Sequence, residues 1–439
     1  MTRTQLNSKW LFMGLTFYLC STLISMAAMS TGVGILFILA LYSGWRPKHL
    51  VDTIKLSSSN GVFAILSLAL TVICLLSLII SKLAPITLAG HVPTVHLLQD
   101  GSKLWYFVLP FFLASILKAL SPLERKNALT AWLSFGGVLG VLGIIQFFTG
   151  FPRKQIIPSQ PEFFHATLFF GHHLSSSSIL IFPFLVSLVL SLSPHLKDQK
   201  IKLICRATSV TLGITLILTW SRMLWIALPC GLLVLAFRSI RPKFRKLFLV
   251  LGSTVITAFL VLATLNMTTI ESKLFNQRGT NERTALWEAN IAFIHMRPLS
   301  GIGFRKTQEM SYYYFLEKDP LNAKNKFIGH AHNNALEVIA GTGFIGFLVW
   351  CLWNFWIFKT SNTLIRSKLN QKLFIESDIV LALFCAWIIL HINGITQVNF
   401  WEGKVMHQMM WALSIILFLN QSSLDSDTLI SATNKNSGN

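Results

Sequence analysis

Two imidazoles stand immediately ahead of an apolar run in Gly329-His330-Ala331-His332-Asn333-Asn334-Ala335-Leu336-Glu337. Asn334 and Glu337 have the spacing of a capping box, so a membrane helix is expected to begin at Asn334. His332 then lies just before a helix N-terminus, at the membrane surface. The partial positive charge of that terminus favours a neutral imidazole and nearby anions. A neutral imidazole can accept the proton of a hydroxyl. The position equally suits a histidine that only caps the helix or lies among headgroups, and the local residues do not choose between the two. His-x-His is also the outline of a metal pair, but no third ligand is evident and no metal is expected.

Upstream, Ala285, Leu286, Ala289, Ala292 and Phe293 recur at helical spacing. They describe a short amphipathic helix with Arg283 in its first turn. A cation there opposes the helix dipole, which points to a partner for Arg283, and the guanidinium fork fits phosphate oxygens in pairs. Arg222, in Thr219-Trp220-Ser221-Arg222, sits at the junction of two apolar runs. An ionisable residue at membrane depth is a functional candidate; the other reading is an arginine snorkelling to the headgroups. Gly341-Thr342-Gly343-Phe344-Ile345-Gly346 lies inside an apolar helix with no strand before it. It therefore reads as close packing and not as a dinucleotide loop, as do Gly136 and Gly140.

The elements that must carry these residues follow from composition. Of 439 residues, 53% are hydrophobic and only 12% charged, against about 25% charged in a soluble domain. Lipid is the solvent for most of the surface. The formal charge of +20 does not imply nucleic acid, because the basic residues cluster between apolar runs, where they orient helices and touch anionic lipid. All six cysteines lie in apolar runs without Cys-x-x-Cys spacing, so neither structural disulfides nor zinc are expected.

The fold class expected is an all-α polytopic membrane protein of about twelve transmembrane helices with one large periplasmic loop containing short helices. The spans fall near 10–29, 31–45, 62–86, 104–121, 130–150, 174–194, 202–220, 222–238, 246–267, 334–358, 378–397 and 404–420. The first run, Trp10–Ser30, is long enough to span the bilayer and lacks a small-residue cleavage site, so it reads as a helix and not as a signal peptide. Residues 1–420 form a single integral-membrane domain, with 268–333 as the large loop within it and 421–439 as a disordered cytoplasmic tail. Loops holding Arg46 and Lys48, Arg125 and Lys126, Lys200 and Lys202, Arg238 to Lys246, and Arg366 to Lys372 alternate with loops holding few cations. The positive-inside rule places the dense set and both termini in the cytoplasm. The loop 268–333 is then outside despite its arginines, since long loops are exported largely regardless of charge. A smaller outer loop, 151–173, carries His165, His172 and His173.

Together these residues resemble a family. Arg283-x-x-x-Trp287, then Pro298-Leu-x-Gly301-x-Gly303-Phe304, then His332-Asn333 followed by Gly343-x-x-Gly346 is similar to the pattern of the O-antigen ligase and polymerase superfamily. Thr219-Trp220-Ser221-Arg222, Phe170-Gly171-His172-His173 before a Ser-rich span, and Gln397-Val398-Asn399-Phe400 with Trp411 extend the resemblance over roughly 140–415. It implies a bacterial inner-membrane enzyme whose active site faces the periplasm. Such an enzyme transfers a glycan from undecaprenyl diphosphate to an acceptor hydroxyl, in the O-antigen ligase a sugar of the lipid A core. It implies His332 as the base, with His330 as competitor. Arg222 and Arg283 would hold the diphosphate, and Asn333 and Arg305 complete the expected substrate-binding set. No metal or cofactor is implied.

The same residues fit a polymerase that extends a surface polysaccharide, or a protein O-oligosaccharyltransferase; the three share a donor site and differ in acceptor. A transporter or flippase is the reading from another class. It sits poorly with charges gathered in one outer loop and with the lack of matching broken helices in two halves.

Overall fold

The computed structural model describes residues 7–54, 58–157, 160–238, 277–321 and 329–436, together with 245, 246, 249, 250, 253 and 257. In chain order its helices are α1 Ser8–Ser21, α2 Met26–Tyr42, α3 Pro47–Ile54, α4 Ser59–Leu83, α5 Leu97–Gly101, α6 Leu109–Ala119, α7 Pro122–Thr149, α8 His173–Leu192, α9 Gln199–Leu218, α10 Arg222–Arg238, α11 Gln277–Met296, α12 Thr307–Lys318, α13 Asn334–Asn370, α14 Phe374–Asn393 and α15 Gly403–Asn436. A 3-10 segment, Ser102–Phe107, joins α5 to α6, and a two-stranded antiparallel hairpin, Ile156–Ile157 with Gln160–Phe164, stands between α7 and α8.

The chain is an all-α polytopic membrane protein. Among the described residues seven helices are long and apolar enough to cross a membrane, or eight if α2 and α3, bent by 102°, are one span. A described helix stands at eleven of the twelve positions expected from the sequence. The ninth position, 246–267, lies mostly outside the described residues. α1 and α2, of 14 and 17 residues, are shorter than a full span, and α10 has 17. The last helix continues to Asn436, across most of the segment read from sequence as a disordered tail.

Which faces meet lipid can be read from the apolar stripes left uncovered. On α4 they are Ile65, Leu68, Val72 and Leu76; on α13, Phe344, Ile345, Leu348, Leu352 and Phe355. Stripes of this length on a helix exterior belong in hydrocarbon. α8 is instead buried on every side from Ser175 to Val186 and forms the centre of the bundle, packed on α9 and α14.

Helices in lipid gain little from apolar contact with each other, so small residues and polar bonds set their packing. α7 and α9 show this. Gly137, Gly140 and Gly143 face Thr208, Thr211 and Thr215 so closely that an added Cβ would collide. Thr208 donates to the Leu133 carbonyl at 3.0 Å and Thr215 to the Gly140 carbonyl at 2.7 Å. Each such bond contributes on average about 0.6 kcal/mol.

Gly341 and Gly343 serve packing too, but against a loop and not a membrane helix. α13 kinks at Gly343, whose φ is 70°. There the loop Pro298–Phe304 lies directly on the helix backbone. Ile302 N–H donates to the Ala340 carbonyl at 2.9 Å, Gly303 N–H to Gly341 at 3.1 Å, and Phe344 N–H to Pro298 at 2.7 Å. A Cβ on Gly343 would stand 2.1 Å from the Leu299 carbonyl oxygen in a conformation that L-residues rarely adopt. Gly343→Ala is therefore expected to lower the thermal midpoint of the detergent-solubilised protein, at a cost of about 1–3 kcal/mol. Gly341→Ala is the matched control, since its Cβ would have only ordinary contacts, the nearest at 3.5 Å. Equal midpoints for the two variants would refute the docking of the loop on the kink.

Candidate active site

A cavity of about 480 Å³ opens where several segments converge, a size typical of small-molecule sites. The 3-10 segment contributes Lys103. The start of α8 brings His172 and Ser175, and the 298–308 region brings Arg305 and Gln308. The turn before α13 supplies His330 and His332 and the first turn of α13 Glu337, while the stretch from the α14–α15 connection into α15 supplies Gln397, Trp401, Glu402 and Lys404.

The histidine turn is built from its own backbone. α13 does begin at Asn334, but its N-cap is Asn333, whose Oδ1 accepts from Leu336 N–H at 3.0 Å. The capping box expected from Asn334 and Glu337 does not form, because both side chains are used elsewhere. Asn334 Oδ1 accepts from Asn399 and Phe400 N–H at 2.7 and 3.2 Å. Glu337 accepts from Ala331 N–H at 2.9 Å and from the Thr307 hydroxyl at 2.5 Å. Glu337 thus ties the turn to the first residue of α12. Within the turn His332 has a φ of 47°, and its N–H donates to His330 Nδ1 at 3.2 Å. The two rings lie 4.2 Å apart.

That bond separates the two histidines chemically. With Nδ1 accepting a backbone N–H, a neutral His330 carries its proton on Nε2 and has no lone pair left for a substrate proton. Burial, with the adjacent His330, Arg283 and His172, pushes His332 down to about 3. His332 is therefore neutral. Burial also lowers His330, with Glu337 opposing the shift.

The two arginines singled out by sequence come together although 61 positions separate them. Arg222 opens α10 after Trp220, whose φ is 57°. The 151–173 loop pins this corner: His165 Nδ1–H donates to the Thr219 carbonyl at 2.9 Å, and Ala166 N–H donates to Leu218 at 3.1 Å. Gln146 of α7 holds the loop in turn, donating to the Arg153 carbonyl at 2.7 Å and accepting from Leu168 N–H at 2.5 Å. Arg283 lies on α11, whose apolar face is the one expected: Leu286, Ala289 and Phe293 are fully buried against Ile302, Met310 and Phe315. The helix already runs at Gln277, so Arg283 is in its second turn and not its first. The dipole penalty inferred from sequence does not apply there. Burial and the neighbouring charge of Arg222 push the Arg283 guanidinium down. Arg283 in turn acts on His332.

The motifs around these groups form a frame. Ser178 of α8 donates to Asn399 Oδ1 at 3.1 Å and accepts from Asn393 Nδ2 at 3.2 Å; Asn399 Nδ2 donates to the Leu390 carbonyl at 3.1 Å. With the Asn334 bonds above, this network joins α8, α13, α14 and the connection to α15 beneath the cavity. Asn333, expected among the substrate-binding residues, does not line the cavity. Its amide is committed to the cap and to the Ile395 carbonyl, 3.0 Å away. Arg305 does line it, in a left-handed conformation with φ of 62°.

Sequence reasoning noted His172 without assigning it to the site and counted Lys103 and Lys404 only as cations of the sparsely charged loops; it passed over Glu402, Ser175 and Trp401. Only their neighbourhood in a motif could have flagged them. Burial raises the Glu402 carboxyl, while a hydrogen bond from Ser175 and the charge of Lys404 oppose this. Burial, Lys404, His330 and His165 lower His172. The site thus divides into neutral histidines, which can exchange protons with a hydroxyl, and permanent cations, which can hold an anion. Among the described residues no three His, Cys, Asp or Glu side chains converge as a metal site.

Residues 207–351 match the family model described as O-antigen ligase. The resemblance to the O-antigen ligase superfamily is thus shown over the stretch holding Arg222, Arg283, Arg305, His330, His332 and Asn333. No curated protein matches the chain.

Proposed function

Taking the O-antigen ligase match of residues 207–351 as premise, we propose that this chain is a membrane glycan transferase that moves O-antigen or a related oligosaccharide from undecaprenyl diphosphate to a hydroxyl of a lipid A-core sugar. The carrying observation is that Arg222 acts electrostatically on Arg283 and Arg283 on His332, although the three are distant in sequence, and that His332 lines the cavity. The donor's diphosphate carries about two negative charges. Two guanidinium forks would hold it and stabilise the charge that grows as the bond from the sugar to the diphosphate breaks. His332 would take the proton of the acceptor hydroxyl as its oxygen forms the new glycosidic bond, and undecaprenyl diphosphate leaves. His330 positions His332 through its backbone.

The twelve-span topology, with the site on the periplasmic side of the inner membrane, belongs to this proposal. In its support, the cavity is built at the starts of α8, α13 and α15. The basic groups Lys200 and Lys202, Arg238, and Arg366 and Lys368 stand at the far ends of the helices that run from this side. A ligase, a polymerase and a protein O-oligosaccharyltransferase would share the donor chemistry, so the acceptor separates them.

The test is transfer by the purified, reconstituted protein from lipid-linked donor to lipid A-core glycolipid, in excess chelator. The expected result is glycosylated acceptor and free undecaprenyl diphosphate without added metal. Activity lost in chelator and restored by Mg²⁺ or Mn²⁺ would overturn the two-arginine account of leaving-group stabilisation. Transfer only onto a growing polysaccharide would make the protein a polymerase.

A further inference from the structure

Three cations of the cavity are not explained by the donor. Lys103 comes from the 3-10 segment, Arg305 from the turn after Gly303 and Lys404 from the start of α15. Arg222 and Arg283 do not line this cavity. Lys103 and Arg305 are close enough for their like charges to oppose each other. Among the described residues no carboxylate lies within ion-pair distance of any of the three. The wall also holds two carboxyl groups, Glu337 and Glu402, against these three cations; Lys404 acts on Glu402 and donates to the Phe170 carbonyl at 2.7 Å, which leaves the Lys103 and Arg305 pair as the excess of like charge.

Like charges gathered in one cavity repel each other and are relieved by an anion. The neutral His330, His332 and His172 stand in the same wall and add no compensating negative charge. We infer that Lys103 and Arg305 form an anion subsite for the acceptor, so that the sugar receiving the glycan carries a phosphate or a carboxylate beside the hydroxyl that reacts. Trp401 and Gln397 in the same wall offer an aromatic face and an amide to the sugar ring itself. The anion site stands on the cavity alone; its assignment to the acceptor rests on the proposed transfer reaction.

Calorimetric titration of the full chain in lipid nanodiscs reads the subsite without any transfer. The probes are glucose, glucose 6-phosphate, glucuronate and inorganic pyrophosphate. At least one of the two anionic sugars is expected to bind about tenfold more tightly than glucose, and which one does so distinguishes a phosphate from a carboxylate. Lys103→Gln and Arg305→Gln should each erase most of that preference. Arg283→Lys should weaken pyrophosphate and leave the preference standing. Equal binding of all three sugars by the unmodified protein overturns the inference, even if both variants fail to fold. A preference lost in Arg283→Lys but kept in Lys103→Gln and Arg305→Gln also overturns it, by assigning the anion to the donor site. If the preference holds but no glycan is ever transferred, the subsite stands and the proposed reaction falls.

Discussion

Replacing His332 by Ala is expected to cut glycan transfer by about 10²–10⁴-fold while donor binding survives, because the change removes proton acceptance and leaves the diphosphate contacts in place. His330→Ala should cost less. It deletes the acceptor of the His332 N–H and loosens the left-handed turn, but His330 has no free lone pair for a substrate proton. His330→Asn keeps an acceptor at that point and should recover most of the loss, which a catalytic base would not do. Single-turnover transfer and donor binding, measured side by side, decide this. Near-normal transfer by His332→Ala with a dead His330→Asn would move the base to His330. If neither variant loses activity, leaving-group stabilisation alone drives the reaction.

The same histidine fixes a pH dependence. A folded-state value of about 3 lies below the ordinary 6.5, so His332 of the free enzyme stays a base well into acid. A bound diphosphate would offset Arg283, and so raise His332 toward its ordinary value. The acid limb of the rate should therefore lie at higher pH with saturating donor than with donor far below its KM. Coincident limbs would detach His332 from the diphosphate site.

Arg222→Lys and Arg283→Lys keep the charge but lose the fork. Transfer is expected to fall about tenfold or more in each, with weaker donor binding, since the diphosphate is present in both ground and transition states. The two losses should not add, because the groups act on one another. Strictly additive losses, or variants with normal donor affinity, would show that the arginines do not share one anion.

The sequence by itself determined what each helix must do in lipid. Runs such as Ser59–Leu83 and Phe374–Asn393 cannot satisfy their backbone in hydrocarbon except as helices. Leu286, Ala289 and Phe293 fall on one face by period alone, and the close packing at Gly140 follows from its lack of a side chain, whereas a Cβ on Gly136 would meet only ordinary contacts. His332, Arg222 and Arg283 were marked by residue type and position. Tertiary structure decided what no local period encodes. It spent Asn334 and Glu337 on distant partners in place of a capping box, and it set Gly343 against the loop carrying Arg305. It also made His330 and His332 unlike through one backbone hydrogen bond, from His332 N–H to His330 Nδ1. Lys103, His172, and Glu402 with Lys404 entered the cavity from three separate segments, because convergence depends on how the helix ends are brought together and not on any run of residues.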